Sequence, residues 1–152
     1  MLGSGPGEWR RAIKTLVEGL DPEVAVLIGR EDASGHFPLR LTLEGCRETL
    51  RLYEDQAIVL PTDEAARATL RQELKEVIAL LHLKAEIIRA VQQAHPNRRV
   101  TLEGPLPGPG GEVGVVLKGS AGFPARAVQA QTYGEAVRQL HQQIVKEPLF
   151  RP

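Results

Sequence analysis

Residues 62–95 form a stretch of 34 positions without proline or glycine, dense in Ala, Leu, Glu, Arg and Gln. All of these residues favour the helix. Thr62 can cap its start, Asp63 and Glu64 place negative charge in the first turn, and Pro96-Asn97 stops it. Such a helix would run roughly 50 Å at 1.5 Å per residue. A compact domain of 152 residues has a diameter of only roughly 40 Å. The helix is therefore expected to bend or break, to project, or to pack against a second copy.

Its faces sharpen that expectation. At 100° per residue, Leu70, Leu74, Val77, Ile78, Leu80, Leu81, Ile87, Ile88 and Val91 gather into one arc, widened by Leu83. A helix on one sheet needs an apolar stripe of about 100°, and between 77 and 91 the arc is about twice that. Two partners are required there. Val77, Leu80, Leu81, Leu83, Ile87, Ile88 and Val91 are accordingly the candidate interface for self-association. Lys84 falls inside the arc; its stem can carry the charge to solvent, and a bend at 82–84 would accommodate it. The pattern lacks the sustained heptad of a coiled coil.

The flanks read as helix, meander, long helix, meander, helix. Trp9, Ala12, Ile13, Leu16, Val17 and Leu20 recur at three and four, an amphipathic helix stopped by Asp21-Pro22. Residues 24–28 are a continuous apolar run, expected as a central strand. Phe37, Leu39, Leu41 and Leu43 alternate with Pro38, Arg40, Thr42 and Glu44, a half-buried antiparallel strand. Residues 49–53 and 57–60 are expected as one bent strand or two short ones. After the long helix, 98–103, 112–118 and 123–129 read as strands, with the GPLPGPGG segment at 104–111 as irregular loop. Thr132, with Glu135 three positions on, caps a last helix whose stripe is Ala136, Val137, Leu140, Ile144 and Val145. Leu149 and Phe150 are placed to fold back onto the core. Residues 40–45 (RLTLEG) and 99–104 (RVTLEG) agree almost residue for residue, which shared strand periodicity explains without a duplication.

The expected fold class is α+β: a single domain over 8–150 after a flexible start at 1–7. It has a mainly antiparallel sheet of about six strands, covered by one long central helix and two shorter terminal helices. A weaker two-part organisation would divide it into 8–60 and 98–150, joined by the helix at 62–95. The chain lacks the strand–helix alternation of a doubly wound domain.

Lys plus Arg equals Asp plus Glu, 19 each, which weakens a general nucleic-acid reading but leaves room for a local patch. Arg10, Arg11 and Lys14 on the first helix, with Arg98 and Arg99, are the candidates for anion or nucleic-acid contact. Cys46 is the sole cysteine, so neither an internal disulfide nor a cysteine-rich metal site is available. The four histidines, His36, His82, His95 and His141, lack metal-motif spacing. A small enzyme would need a site near His36, with Glu31 and Asp32, or at Cys46; neither has the partners of a recognised catalytic constellation. No catalytic, cofactor-binding or metal residue is therefore assigned. With no long apolar run or signal segment, the expectation is a soluble cytoplasmic protein without membrane, metal or cofactor. One cysteine, one asparagine and many arginines lean towards a thermophilic host. The leading functional expectation is a non-enzymatic protein acting through protein–protein contacts as a homodimer, with nucleic-acid binding and a small enzyme as alternatives.

Overall fold

The computed structural model describes residues 6–120 and 125–146. The start at 1–5, part of the turn at 119–122, the first residues of the strand expected from 123, and Leu149 and Phe150 lie outside the described residues. The fold is α+β, with two three-stranded antiparallel sheets, several helices and one long helix. The six strands thus fall into two meanders rather than one sheet. Short hairpin connections pair neighbours within each triplet, while a 31-residue helix separates the triplets in sequence. Contacts cluster into two compact units, Met1–Leu81 and His82–Pro152.

In the first unit, α1 (Pro6–Leu20) precedes β1 (Ala25–Ile28), β2 (His36–Leu43) and β3 (Cys46–Tyr53). Pro6 and Gly7, expected to be frayed, already belong to α1. Trp9, Ile13, Leu16 and Val17 are buried, and the Trp9 ring meets Phe37 at 4.8 Å between centroids. The buried side of the sheet carries Leu39, Leu41, Leu43, Cys46 and Leu52. Each fully buried leucine contributes about 1.5–3 kcal/mol of hydrophobic stabilisation. β1 is an edge strand and β2 the central one, so the apolar run at 24–28 does not mark a central position. Glu44 and Gly45, with φ of 49° and 86°, make the two-residue turn between β2 and β3, the left-handed pair a tight hairpin requires.

Of residues 57–60, expected as strand, Ala57 and Ile58 instead close a short helix, α2 (Glu54–Ile58), and the next two form a turn. Gln56 Oε1 accepts from the Tyr53 amide at 2.9 Å, and Glu54 and Asp55 suit the first turn. Ala57 and Leu60, three apart, are both buried. This is helical rather than alternating burial. The long helix α3 runs continuously over Glu64–Ala94. Its first turn is closed by Asp63, whose Oδ1 accepts from the Ala66 amide at 3.1 Å.

The second unit contains β4 (Val100–Pro107), β5 (Val113–Gly119), β6 (Arg126–Ala130) and α4 (Tyr133–His141), the last continuing as a π turn over Gln142–Lys146. Thr132 caps α4, accepting from the Glu135 amide at 3.2 Å. Val115, Leu117, Val128, Ala136, Val137, Leu140 and Ile144 are buried. The proline- and glycine-rich segment is partly strand: β4 reaches Pro107 after a register shift between Glu103 and Leu106. Pro105 sits inside that irregularity, where no ladder donor is demanded. The turn then uses Gly110 and Gly111 at φ of 77° and 84°. The RLTLEG and RVTLEG segments are not equivalent, since one ends the central strand β2 and the other opens the edge strand β4.

Gly104 is required by close approach. A Cβ there would lie 2.8 Å from Tyr133 Cε1 and 2.9 Å from the Gly114 carbonyl oxygen. Gly104→Ala should cost about 1–3 kcal/mol through overpacking. Thermal unfolding reads this directly, and an unchanged Tm would remove the packing argument.

Candidate functional site

The alternation of β2 and β3 fixes two faces on the first sheet. Leucines turn inward, while Arg40, Thr42, Arg47, Thr49 and Arg51 are exposed on the outer face. Ala25 and Leu27 of β1 join them, since Ala25 pairs with Thr42 and Leu27 with Arg40. Across the next hairpin Pro38 faces Arg51, Arg40 faces Thr49 and Thr42 faces Arg47. Arg40 is therefore the diagonal neighbour of both Arg47 and Arg51, with Cα separations of roughly 7–8 Å. Even in water, like charges at that range repel by about 0.5 kcal/mol per pair.

No acidic residue occupies an outward strand position on this face. At one end His36 stacks on Tyr53, with ring centroids 4.0 Å apart. Leu27 is 64% exposed in the edge strand, and with Ala25, Arg40, Thr42 and Arg47 it lines a shallow groove of about 260 Å³. On the second sheet the outward Lys118 meets Glu103 at 3.0 Å.

The basic residues singled out from the sequence belong to two units, Arg10, Arg11 and Lys14 to the first and Arg98 and Arg99 to the second. Arg10 lies over Trp9, 4.6 Å from the ring centroid, and contributes to packing. Arg11 and Lys14 are exposed. The candidate interface residues on α3 differ in burial. Leu81, Ile87 and Val91 are completely buried, and Val77, Leu80, Leu83 and Ile88 are half-buried. Lys84 is buried rather than solvent-reaching, 4% exposed, with its ammonium 5.9 Å from the centroid of the Tyr133 ring.

His36 and Cys46 do not meet. His36 pairs with Tyr53 at one end of the hairpin and Cys46 with Leu43 at the other, roughly 24 Å apart at the rise of a strand. Asp32 organises a turn: its Oδ1 accepts from the amides of Ser34 at 2.9 Å and His36 at 3.0 Å. The His36 amide, foremost, holds the Asp32 carboxyl below the usual range. His141 is buried, its Nε2 3.2 Å from Glu86 Oε1. Among the described residues no group of histidine, cysteine or acidic side chains could hold a metal ion, and no helix is long and apolar enough to cross a membrane.

Hydrogen bonding with Glu54, followed by partial loss of solvent and then the charges of Glu54 and Asp32, holds the Glu31 carboxyl above its ordinary range. The two acids act in opposite senses. Asp32 contributes stability present above about pH 3.8 and lost as pH falls through its depressed folded value. Glu31 contributes stability present below about pH 4.5 and lost as pH rises through its elevated folded value. Glu54→Ala should bring the Glu31 titration down towards 4.5; side-chain carboxyl NMR checks it, and an unmoved midpoint would discount the pair.

No family model matches the chain, and no curated protein matches it in sequence.

Proposed function

We propose that the protein is a non-catalytic binding module whose outer β1–β2–β3 face receives an acidic, extended segment of a partner protein. The observation that carries the reading is the cluster of Arg40, Arg47 and Arg51 on a sheet face whose outward strand positions hold no acidic residue. Guanidinium groups engage carboxylates through two parallel hydrogen bonds. The threonines between them add hydroxyl donors, and exposed Leu27 offers an apolar contact beside the groove. β1 has a strand partner on one side only, so an extended segment can add its backbone there.

A protein segment fits this face better than nucleic acid. The first unit carries ten Lys and Arg against fourteen Asp and Glu, a net charge of −4 that opposes a long polyanion beyond the patch. Tyr53 is the one Tyr, Trp or Phe residue at an outward strand position, which leaves little for base stacking.

The test is fluorescence anisotropy with two probes, a labelled decapeptide alternating Glu and Leu and a single-stranded oligonucleotide of similar length. Salt-sensitive binding of the peptide, with amide shifts at Arg40, Thr42 and Thr49, is the expected result. Tighter binding of the oligonucleotide, or binding of neither at low salt, would overturn the reading.

A further inference from the structure

On the helical side of the first unit, a separate cleft of about 400 Å³ opens between α1 and the beginning of α3. Its volume falls within the range of small-molecule sites. Arg11, Arg67 and Arg71 all line it, with Thr15, Leu16 and Glu8 among the remaining wall. Arg67 and Arg71 are one helical turn apart on α3, so their side chains leave the same face. Arg11 and Thr15 have the same spacing on α1.

We propose that this cleft binds a phosphorylated small molecule, with its phosphate held by Arg11, Arg67 and Arg71. Three guanidinium groups and the Glu8 carboxylate give the lining a net charge of about +2, which matches the −1.5 to −2 of a phosphate monoester at neutral pH. A single carboxylate ligand would leave the site undercompensated. Among the described residues neither Arg11 nor Arg71 has an ion-pair partner. Arg67 is already oriented, its Nη1 donating to the Leu60 carbonyl at 2.8 Å. Such a fixed fork loses less freedom on binding than a mobile one. Leu16, with Ala12 and Pro61, gives the wall an apolar part, suited to the organic moiety of the ligand rather than to free phosphate.

The experiment is isothermal calorimetry on the full chain with inorganic phosphate, a nucleoside monophosphate and a sugar phosphate. The organic phosphates are expected to bind more tightly than inorganic phosphate, and the stronger of the two identifies the source. Arg11→Gln and Arg71→Gln should each weaken that binding about tenfold, while Arg71→Lys retains part of it. Both arginines are exposed, and unchanged circular dichroism would show that these variants fold. Arg40→Gln on the sheet face should leave phosphate binding unaltered, which separates this site from the acidic-segment site. Failure of all three ligands to bind at millimolar concentration, or equal binding by the Arg11→Gln and Arg71→Gln variants, would overturn the proposal.

Discussion

Replacing Arg40 and Arg51 together by glutamate is expected to abolish binding of an acidic segment and leave the fold intact. Each charge-assisted hydrogen bond to a carboxylate contributes about 1.5–3 kcal/mol. Losing two therefore weakens affinity by on the order of 100-fold or more, before any repulsion from the new carboxylates. Both side chains are exposed, so the core is untouched. The repulsion between positions 40 and 47 turns into an attraction of about 0.5 kcal/mol, while that between positions 40 and 51 persists with both signs reversed. The corresponding double lysine variant is expected to fall between, since it keeps the charge but loses the planar fork. Anisotropy titration of the acidic peptide against the three proteins measures the series. Near-native affinity in the glutamate variant would remove the sheet face from any binding role.

The second large effect lies on the opposite side of the same strand. Leu39 is completely buried in the central strand, paired with Ile28 on one side and Leu50 on the other. Leu39→Ala should cost about 2–5 kcal/mol, the loss of transfer energy plus the cavity left behind. That is a large fraction of the roughly 5–15 kcal/mol by which a domain is stable. Thr42→Ala, three residues on and facing solvent, should change stability by only about 0.5 kcal/mol. Denaturant unfolding of the two variants gives the contrast. Similar midpoints would mean that the inward and outward assignment of β2 is mistaken.

That contrast also shows how the sheet face was present in the chain without being read. The period-two pattern from Phe37 to Leu43 sets Arg40 and Thr42 outward. The two-residue turn at Glu44-Gly45 then fixes the register that brings Arg47, Thr49 and Arg51 alongside. Adjacent charges in the sequence, such as Arg10-Arg11 and Arg98-Arg99, attract attention but need not converge. On this hairpin Arg40 is seven residues from Arg47 and eleven from Arg51 in the chain. Arg11, Arg67 and Arg71 are more distant still, and only the packing of α1 beside α3 gathers them around one cleft.

Elsewhere, local signals competed. The apolar residues at 57–60 fit a strand as well as a helix because short runs carry too little periodicity to decide. The Gln56 cap and the burial of Ala57 with Leu60 settle the helix. Lys84 looked destined for solvent because transfer energy disfavours a buried charge, yet it is buried near the Tyr133 ring. The wide arc on α3 was legible as a demand for burial, but its location said nothing about which elements would meet it.

By itself, then, the sequence determined the α+β class, the long helix, most strand and helix positions, and the absence of a cysteine-rich metal site. These follow from local periodicity, capping and composition, which act over a few residues. Tertiary structure alone decided that six strands form two sheets, that Lys84 is buried, and that arginines distant in sequence share a face or a cleft. Those outcomes depend on strand register and helix packing, long-range choices that local preferences permit but do not select.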